Sequence, residues 1–206
     1  GRFDLGAAPR AWLHDHARAA PDPHGQARCQ WHARGNPGKP FRRLRRDPRK
    51  PDAYPLPEGI KFRAMTSLDL VPASVIEKEV YQKAAWSIAQ FKEEFAKAPK
   101  DAYYLAAEAE GELIAYAGIF FVADVADIHT ITVVEKYRRK GVGRELLKRL
   151  IDWARVKKAD AIMLEMRVGN DAARPLYEQY GFVEISRREN YYGPGLTAVV
   201  MRKELK

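Results

Sequence analysis

The stretch of this sequence best suited to chemistry on a ligand is Arg138-Arg139-Lys140-Gly141-Val142-Gly143-Arg144. It follows a β-branched run, Ile128 to Val133, and leads directly into a segment of helical periodicity. Glycines let the backbone approach a phosphate, a helix start presents N–H groups with no intrahelical partner, and the aligned peptide dipoles favour negative charge there. Arg139, Lys140 and Arg144 add formal positive charge where a pyrophosphate would sit. Other chemistries are poorly served. Cys29 is the one cysteine, so the chain closes no internal disulfide, as a reducing cytosol favours. His24, Cys29 and His32 fit no standard zinc spacing and lack a clear fourth ligand.

The elements that must hold this loop are legible from periodicity. Ile60 to Met65 alternates as a strand, and Val71 to Val80 reads as a helix. Ser87-Ile88-Ala89-Gln90 has the form of a capping box and opens a second helix toward Phe95. Tyr103 to Glu108 and Leu113 to Val122 read as strands joined across Glu110-Gly111. After the strand Ile128 to Val133 and the basic loop comes a helix from Arg144 to about Lys157, with Leu146, Leu147, Leu150, Ile151 and Ala154 on one face. Ala161 to Arg167 is a strand, Ala172 to Tyr180 a helix stopped by Gly181, and Phe182 to Ser186 and Thr197 to Lys203 are two closing strands. The order β-α-α-β-β-β-α-β-α-β-β implies a mixed sheet with helices on both faces, an α/β (α+β) domain.

The first 57 residues have a different texture. They hold nine of the thirteen prolines and 12 Lys/Arg against 5 Asp, a charge of +7 out of the total +9. They show no sustained periodicity and are expected to form a basic, Pro-rich linker or the tail of an upstream region, with residues 58–206 as the folded domain. The cluster Arg42-Arg43-Leu44-Arg45-Arg46, within residues 39–50, could contact RNA or the ribosome by neutralising phosphate. Such runs are more often solvated linkers. The longest apolar run, Leu113 to Ala123, is far short of the ~20 residues that span a bilayer. No charged-then-apolar leader pattern follows Gly1, so the default expectation is a cytoplasmic protein away from membranes.

The loop does not stand alone. Arg138-x-x-Gly141-x-Gly143 resembles the pyrophosphate loop of the GCN5-related N-acetyltransferase (GNAT) superfamily, Gln/Arg-x-x-Gly-x-Gly/Ala after the fourth strand. The resemblance narrows to the bacterial ribosomal-protein-alanine acetyltransferases called RimI. It is carried by Ile128 to Val133, the loop, Leu164-Glu165-Met166-Arg167, the run Asn170 to Phe182 and Arg187 to Tyr192, with Ala85-Trp86-Ser87 similar to that family's Pro-Trp-Ser. It covers residues 58–206 and excludes the front segment.

What the resemblance implies is specific. The fold would be a mixed, mostly antiparallel seven-stranded sheet flanked by about four helices and splayed between strands 4 and 5. The co-substrate would be acetyl-CoA, with no metal. Backbone groups of Ile131, Thr132 and Val133 would meet the pantetheine arm, and an N–H near Val133 would polarise the thioester carbonyl. Arg138, Arg139, Lys140, Gly141, Val142, Gly143 and Arg144 would hold the pyrophosphate, and Asn170 would hydrogen-bond the coenzyme or cap the following helix. Glu165 would be the general base, through water, for an α-ammonium whose pKa lies near ~8. As an alternative it could pair structurally with Arg167 or another cation. Tyr177 would protonate the departing thiolate, or simply pack in the core. Tyr191 and Tyr192, at the start of the last hairpin loop, would shape the peptide pocket, both or only one of them, since neighbours on a strand face opposite ways. His129 is expected to be a satisfied structural residue.

The acceptor implied is a protein N-terminus, the N-terminal alanine of ribosomal protein S18 above all. A lysine or small-molecule amine acceptor is the alternative, as is an RNA- or ribosome-binding role through the front segment. Two departures from the family pattern stand out. Leu196-Thr197-Ala198 replaces an acidic residue followed by Asp-Ala, which puts the peptide preference in doubt, and Val134-Glu135 replaces Asp-Pro.

Overall fold

Alternation and β-branching in the sequence build the sheet where the periodicity places it. The computed structural model describes residues 56–81, 85–170 and 173–206. The readings made on the front segment, including the basic cluster and His24, Cys29 and His32, lie outside the described residues, as do Asp171 and Ala172. The elements are β1 (Lys61–Ala64), α1 (Leu70–Tyr81), α2 (Ile88–Phe95), β2 (Ala102–Ala109), β3 (Glu112–Val122), β4 (Val125–Val133), α3 (Val142–Val156), β5 (Ala161–Arg167), α4 (Arg174–Gln179), β6 (Val183–Arg188) and β7 (Ala198–Glu204). The strand order is β1-β2-β3-β4-β5-β7-β6. All neighbours are antiparallel except β4 and β5. No helix among the described residues is long and apolar enough to cross a membrane.

Local chemistry fixes the ends of these elements. At the start of α2, Gln90 N–H donates to Ser87 Oγ at 3.3 Å and Ser87 N–H donates to Gln90 Oε1 at 2.8 Å, so two orphan donors are satisfied reciprocally. The β2–β3 turn places Glu110 at φ 55° and Gly111 at φ 83°, the left-handed pair that a two-residue hairpin requires. The helix expected over 172–180 is shorter. Its N-cap is Ala173, and Pro175 fits its first turn because the missing N–H is an orphan there in any case.

The sheet buries both faces. One face packs Leu146, Leu147, Leu150, Ile151 and Ala154 of α3 against Ile128, Ile131, Val133, Ile162, Leu164 and Met166. The other packs Leu70, Ala73 and Ile76 of α1 and Phe91 of α2 against Tyr104 and Tyr116. Because β5 alternates, Ile162, Leu164 and Met166 on the α3 face put Glu165 on the α1/α2 face.

Two irregularities shape the centre of the sheet. In the β3–β4 ladder Ile119 pairs with Ile128 and Gly118 with Thr130, so His129 is the extra residue of a bulge. In the β4–β5 ladder parallel pairing runs only from Val125↔Ala161 to Ile128↔Leu164. Beyond it β4 continues to Val133 and β5 to Arg167 without facing partners, which is the expected splay between strands 4 and 5.

Candidate active site

The splay leaves main-chain groups aimed into an opening. Val134 N–H donates to the Ile114 carbonyl at 3.0 Å. Alternation along an antiparallel ladder therefore directs Thr132 toward β3 and turns the N–H and C=O of Ile131 and Val133 into the gap. Thr132 is thus a correction to the expected set. Its backbone faces β3, and its hydroxyl lies 3.0 Å from Tyr81 Oη and 3.1 Å from Thr130 Oγ1, on the α1 side of the sheet. The Val133 carbonyl is already engaged, because Arg138 Nε donates to it at 2.9 Å. Arg138 therefore ties the loop to the strand, a positioning role the sequence pattern did not reveal.

Past Arg138 the chain makes a tight, basic turn. Arg139 has φ 61° and Gly141 φ 80°, both left-handed, and α3 begins at Val142. Arg139 and Lys140 are exposed. At its start Glu145 N–H donates to the Gly141 carbonyl at 3.0 Å. By helix geometry the N–H groups of Val142, Gly143 and Arg144 point out of the helix start toward the loop. A Cβ built on Gly143 would meet only Val133 Cγ2 at 3.7 Å, an ordinary contact, so packing inside the protein does not demand glycine there. The turn has the shape and charge that suit a pyrophosphate.

Glu165 stands just past the last β4–β5 pair, with its side chain 2% exposed. Its Oε1 has no hydrogen-bond partner among the described residues, and the nearest cation is Arg188 Nη1 at 3.8 Å. The Arg167 pairing considered from sequence is not the one seen. Burial pushes the Glu165 carboxyl above its ordinary value, and the Arg188 charge pulls partly back. Tyr191 lies over Arg188, whose Cζ is 5.6 Å from the ring centroid. Burial first, then the nearby carboxylates, raise the Tyr191 phenol above its usual range. Tyr191 and Tyr192 sit in a turn after β6 and not on a strand, so the strand alternation expected for them does not apply. Their rings meet edge-on at 5.0 Å.

Tyr177 packs from the opposite face. It is buried in the α3-side core, its ring edge-on to Phe182 at 5.9 Å, and burial raises its phenol above the ordinary value. Glu165 and Tyr177 thus belong to opposite faces of the sheet. Asn170 is buried, and its backbone carbonyl accepts from Ala173 N–H at 3.1 Å and Arg174 N–H at 3.3 Å. It precedes the α4 cap at Ala173 and is not itself that cap.

Sequence reading passed over one residue of this group. Asp127, on β4 in register with Met163, is 6% exposed and lies on the Glu165 face. Its alternation with Ala126 and Ile128 was the available signal: a carboxylate in an otherwise apolar, β-branched run. His129 was read as structural and is so placed, stacked on Phe120 at 5.9 Å. Burial lowers its pKa to about 4, so the imidazole is neutral at physiological pH and its 3.9 Å approach to Asp127 is not an ion pair there.

The sheet thus splits beside a basic helix start, with a buried carboxylate at the split. The model of the Acetyltransferase (GNAT) family matches residues 69–182, and the chain belongs to that family of N-acetyltransferases. The N-alpha-acetyltransferase RimI of Mycobacterium tuberculosis is 33% identical over 153 residues, 71% of this chain and 94% of that protein. The crystal structure of the ribosomal-protein-S18-alanine N-acetyltransferase from Escherichia coli superposes with a TM-score of 0.64 at 29% identity, covering 71% of this chain and 94% of that one. An uncharacterized protein of Mycobacterium leprae is 34% identical over 165 residues, 76% of this chain, and the chain spans only 45% of that relative's length.

Proposed function

We propose that residues 58–206 transfer the acetyl group of acetyl-CoA to the α-amino group of a protein, with the N-terminal alanine of ribosomal protein S18 as the leading acceptor. The observation that carries this reading is Glu165, a buried carboxylate without a hydrogen bond to Oε1, set at the edge of the β4–β5 gap. Such a group costs stability unless a ligand uses it. Support for the acceptor comes from the relatives, one bearing the name N-alpha-acetyltransferase and one acting on S18 alanine.

The residues divide the work by position. The outward N–H groups at the start of α3, with Arg139, Lys140 and Arg144 around them, would hold the pyrophosphate, and Arg138 keeps the turn against β4. Ile131 and Val133 would bond the pantetheine amides, and Asn170 would stand beside the same arm. Bound acetyl-CoA supplies an acyl group already activated as a thioester. Val133 N–H would donate to the carbonyl oxygen as charge develops on it. Glu165, whose raised pKa brings it nearer that of an amine, takes a proton from the acceptor through water. Tyr177, kept protonated by burial, donates to the leaving sulfur. Tyr191 and Tyr192 line the acceptor side. Direct attack of the amine needs neither an enzyme nucleophile nor a metal.

The cradle has its own test. Gly141 at φ 80° lies where a β-branched side chain costs about 1–2 kcal/mol. Gly141→Val is expected to weaken coenzyme A binding at least about tenfold, read by calorimetric titration, with β-sheet content retained. Unchanged affinity would move the pyrophosphate elsewhere. The acceptor class is tested by incubating the protein with acetyl-CoA and peptides starting with Ala, Ser, Gly or Met, each with a free or blocked α-amine, plus an internal-lysine control. Transfer to free N-termini alone, Ala foremost, is expected. Transfer to the blocked lysine peptide would replace this reading with a lysine acetyltransferase.

A further inference from the structure

The acid side of this site holds one carboxylate more than the reaction outlined above uses. Asp127 is on β4 at the closed end of the gap, paired with Met163, and Glu165 follows two residues later on β5, on the same face. Asp127 Oδ1 is buried without a hydrogen-bond partner among the described residues, as is Glu165 Oε1. The charged and titratable groups facing the pair come from four elements. Arg188 on β6 is the near cation, at 3.8 Å from Glu165. Tyr191, in the turn after β6, is a neutral phenol. His129 on β4, with Nε2 at 3.9 Å from Asp127 Oδ2, is neutral. Behind His129, Glu94 of α2 and Lys97 just past its end cancel each other in an ion pair of 2.7 Å.

Two buried carboxylates therefore face one guanidinium, and the set is one positive charge short. A lone buried charge of this kind is not left uncompensated; it takes up either a proton or a cationic ligand. We infer that Asp127 and Glu165 form a carboxylate pair that holds one proton in the free enzyme, and that the acceptor's ammonium group is the cation that displaces it. This rests on the amine-acceptor reading above and names what recognises the charged form of that amine. Burial raises the Asp127 carboxyl well above its usual range and the Glu165 charge adds to this; Arg188 lowers both carboxyls but makes its 3.8 Å approach to Glu165, so the shared proton resides on Asp127.

The protons balance around a turnover. Docking of R–NH3+ expels the shared proton to solvent and leaves both carboxylates ionised against two cations. Glu165 then takes one proton from the ammonium, restoring the singly protonated pair. The freed lone pair forms the C–N bond, and the thioester C–S bond breaks with its electron pair going to sulfur. Tyr177 protonates that sulfur and is itself replenished by the surplus proton on the acylated nitrogen. The sum is one ammonium and one thioester converted to one amide, one thiol and one proton. The product amide is uncharged, so nothing in it competes with the proton for the pair. That assists release, and it gives Asp127 a role in selecting charged amines over neutral or already acetylated ends.

The experiment measures proton release on binding. The protein, saturated with desulfo-coenzyme A so that no transfer occurs, is titrated near pH 6.5 with an alanine-starting peptide by calorimetry in two buffers of different ionisation enthalpy. Wild type is expected to release up to about one proton per peptide bound. Asp127→Asn, isosteric with the protonated acid, is expected to release almost none and to raise the peptide KM about tenfold while kcat falls less. Asp127→Glu is expected to recover part of both. A purely structural Asp127 would leave proton release intact in the Asn variant, and that result overturns the inference. Wild type that acetylates the peptide but releases no proton on binding it overturns the inference equally, without reference to any variant. If peptides are not acetylated but a cationic small amine is, with the same Asp127-dependent proton release, the carboxylate pair stands and the N-terminal reading falls.

Discussion

Glu165→Gln is expected to lower kcat/KM for an alanine-starting peptide by about 10²–10⁴-fold while leaving coenzyme A affinity within about twofold. The rate loss alone would not separate a base from a structural carboxylate; the stability of the variant does. The Glu165 pKa is raised in the fold, so its contribution to stability is fully present below the unfolded value, near ~4.5, and is lost as pH rises through the folded one. At neutral pH the ionised group is therefore a burden on the fold, and Glu165→Gln is expected to melt at or above the wild-type temperature. A salt-bridge role with Arg188 would give the reverse, a variant that melts lower. The pH profile adds a sign. Activity should climb as Glu165 deprotonates, and Arg188→Ala, removing the charge that lowers this pKa, should move the acid limb to higher pH.

Tyr177→Phe is expected to reduce kcat by about 10²-fold at little cost to the fold. Only a hydroxyl is deleted, the ring keeps its edge-on contact with Phe182, and no cavity opens. The core-packing alternative expects the opposite pattern, an unchanged rate, so single-turnover kinetics beside a thermal melt decides between them. A leaving group that needs no proton should also rescue the variant: an acetyl thioester of an acidic aryl thiol should lose much less rate than acetyl-CoA does. Burial raises the phenol above its usual value, which keeps the donor protonated across the working range and places no basic limb from Tyr177 near neutral pH.

The elements were legible wherever the information is local. Ser87 and Gln90 announce their own helix start because each bonds the other's backbone, and Glu110-Gly111 announces a hairpin because the turn needs two left-handed residues. The stripe of α3 and the basic loop before it follow from spacing alone. What escaped is what pairing between strands decides. The bulge at His129 and the end of the β4–β5 ladder at Ile128↔Leu164 are properties of register. Neither strand carries that in its own sequence, so Thr132 was grouped with Ile131 and Val133 although the ladder turns it the other way. Asp127 was missed for the same reason: a single acidic residue in a strand acquires meaning only when the parallel partner brings Glu165 onto its face. Arg138 matched a ligand-binding motif, yet its Nε is occupied by the Val133 carbonyl, a contact that closes on the preceding strand. The paired tyrosines were expected to face opposite ways, as neighbours on a strand do; β6 stops at Arg188, and the turn after it brings both rings edge to edge.

The most direct measurement is a crystal structure with a conjugate in which coenzyme A is joined through an acetyl bridge to the α-nitrogen of an alanine-starting peptide. The expected result places the phosphates against the start of α3, the bridging carbonyl at Val133 N–H, and the α-nitrogen on the α1/α2 face within one water of Glu165. A conjugate whose peptide leaves by the α3 face, or whose nitrogen lies beyond one water from Glu165, would contradict the assignment of this carboxylate as the base for an N-terminal amine.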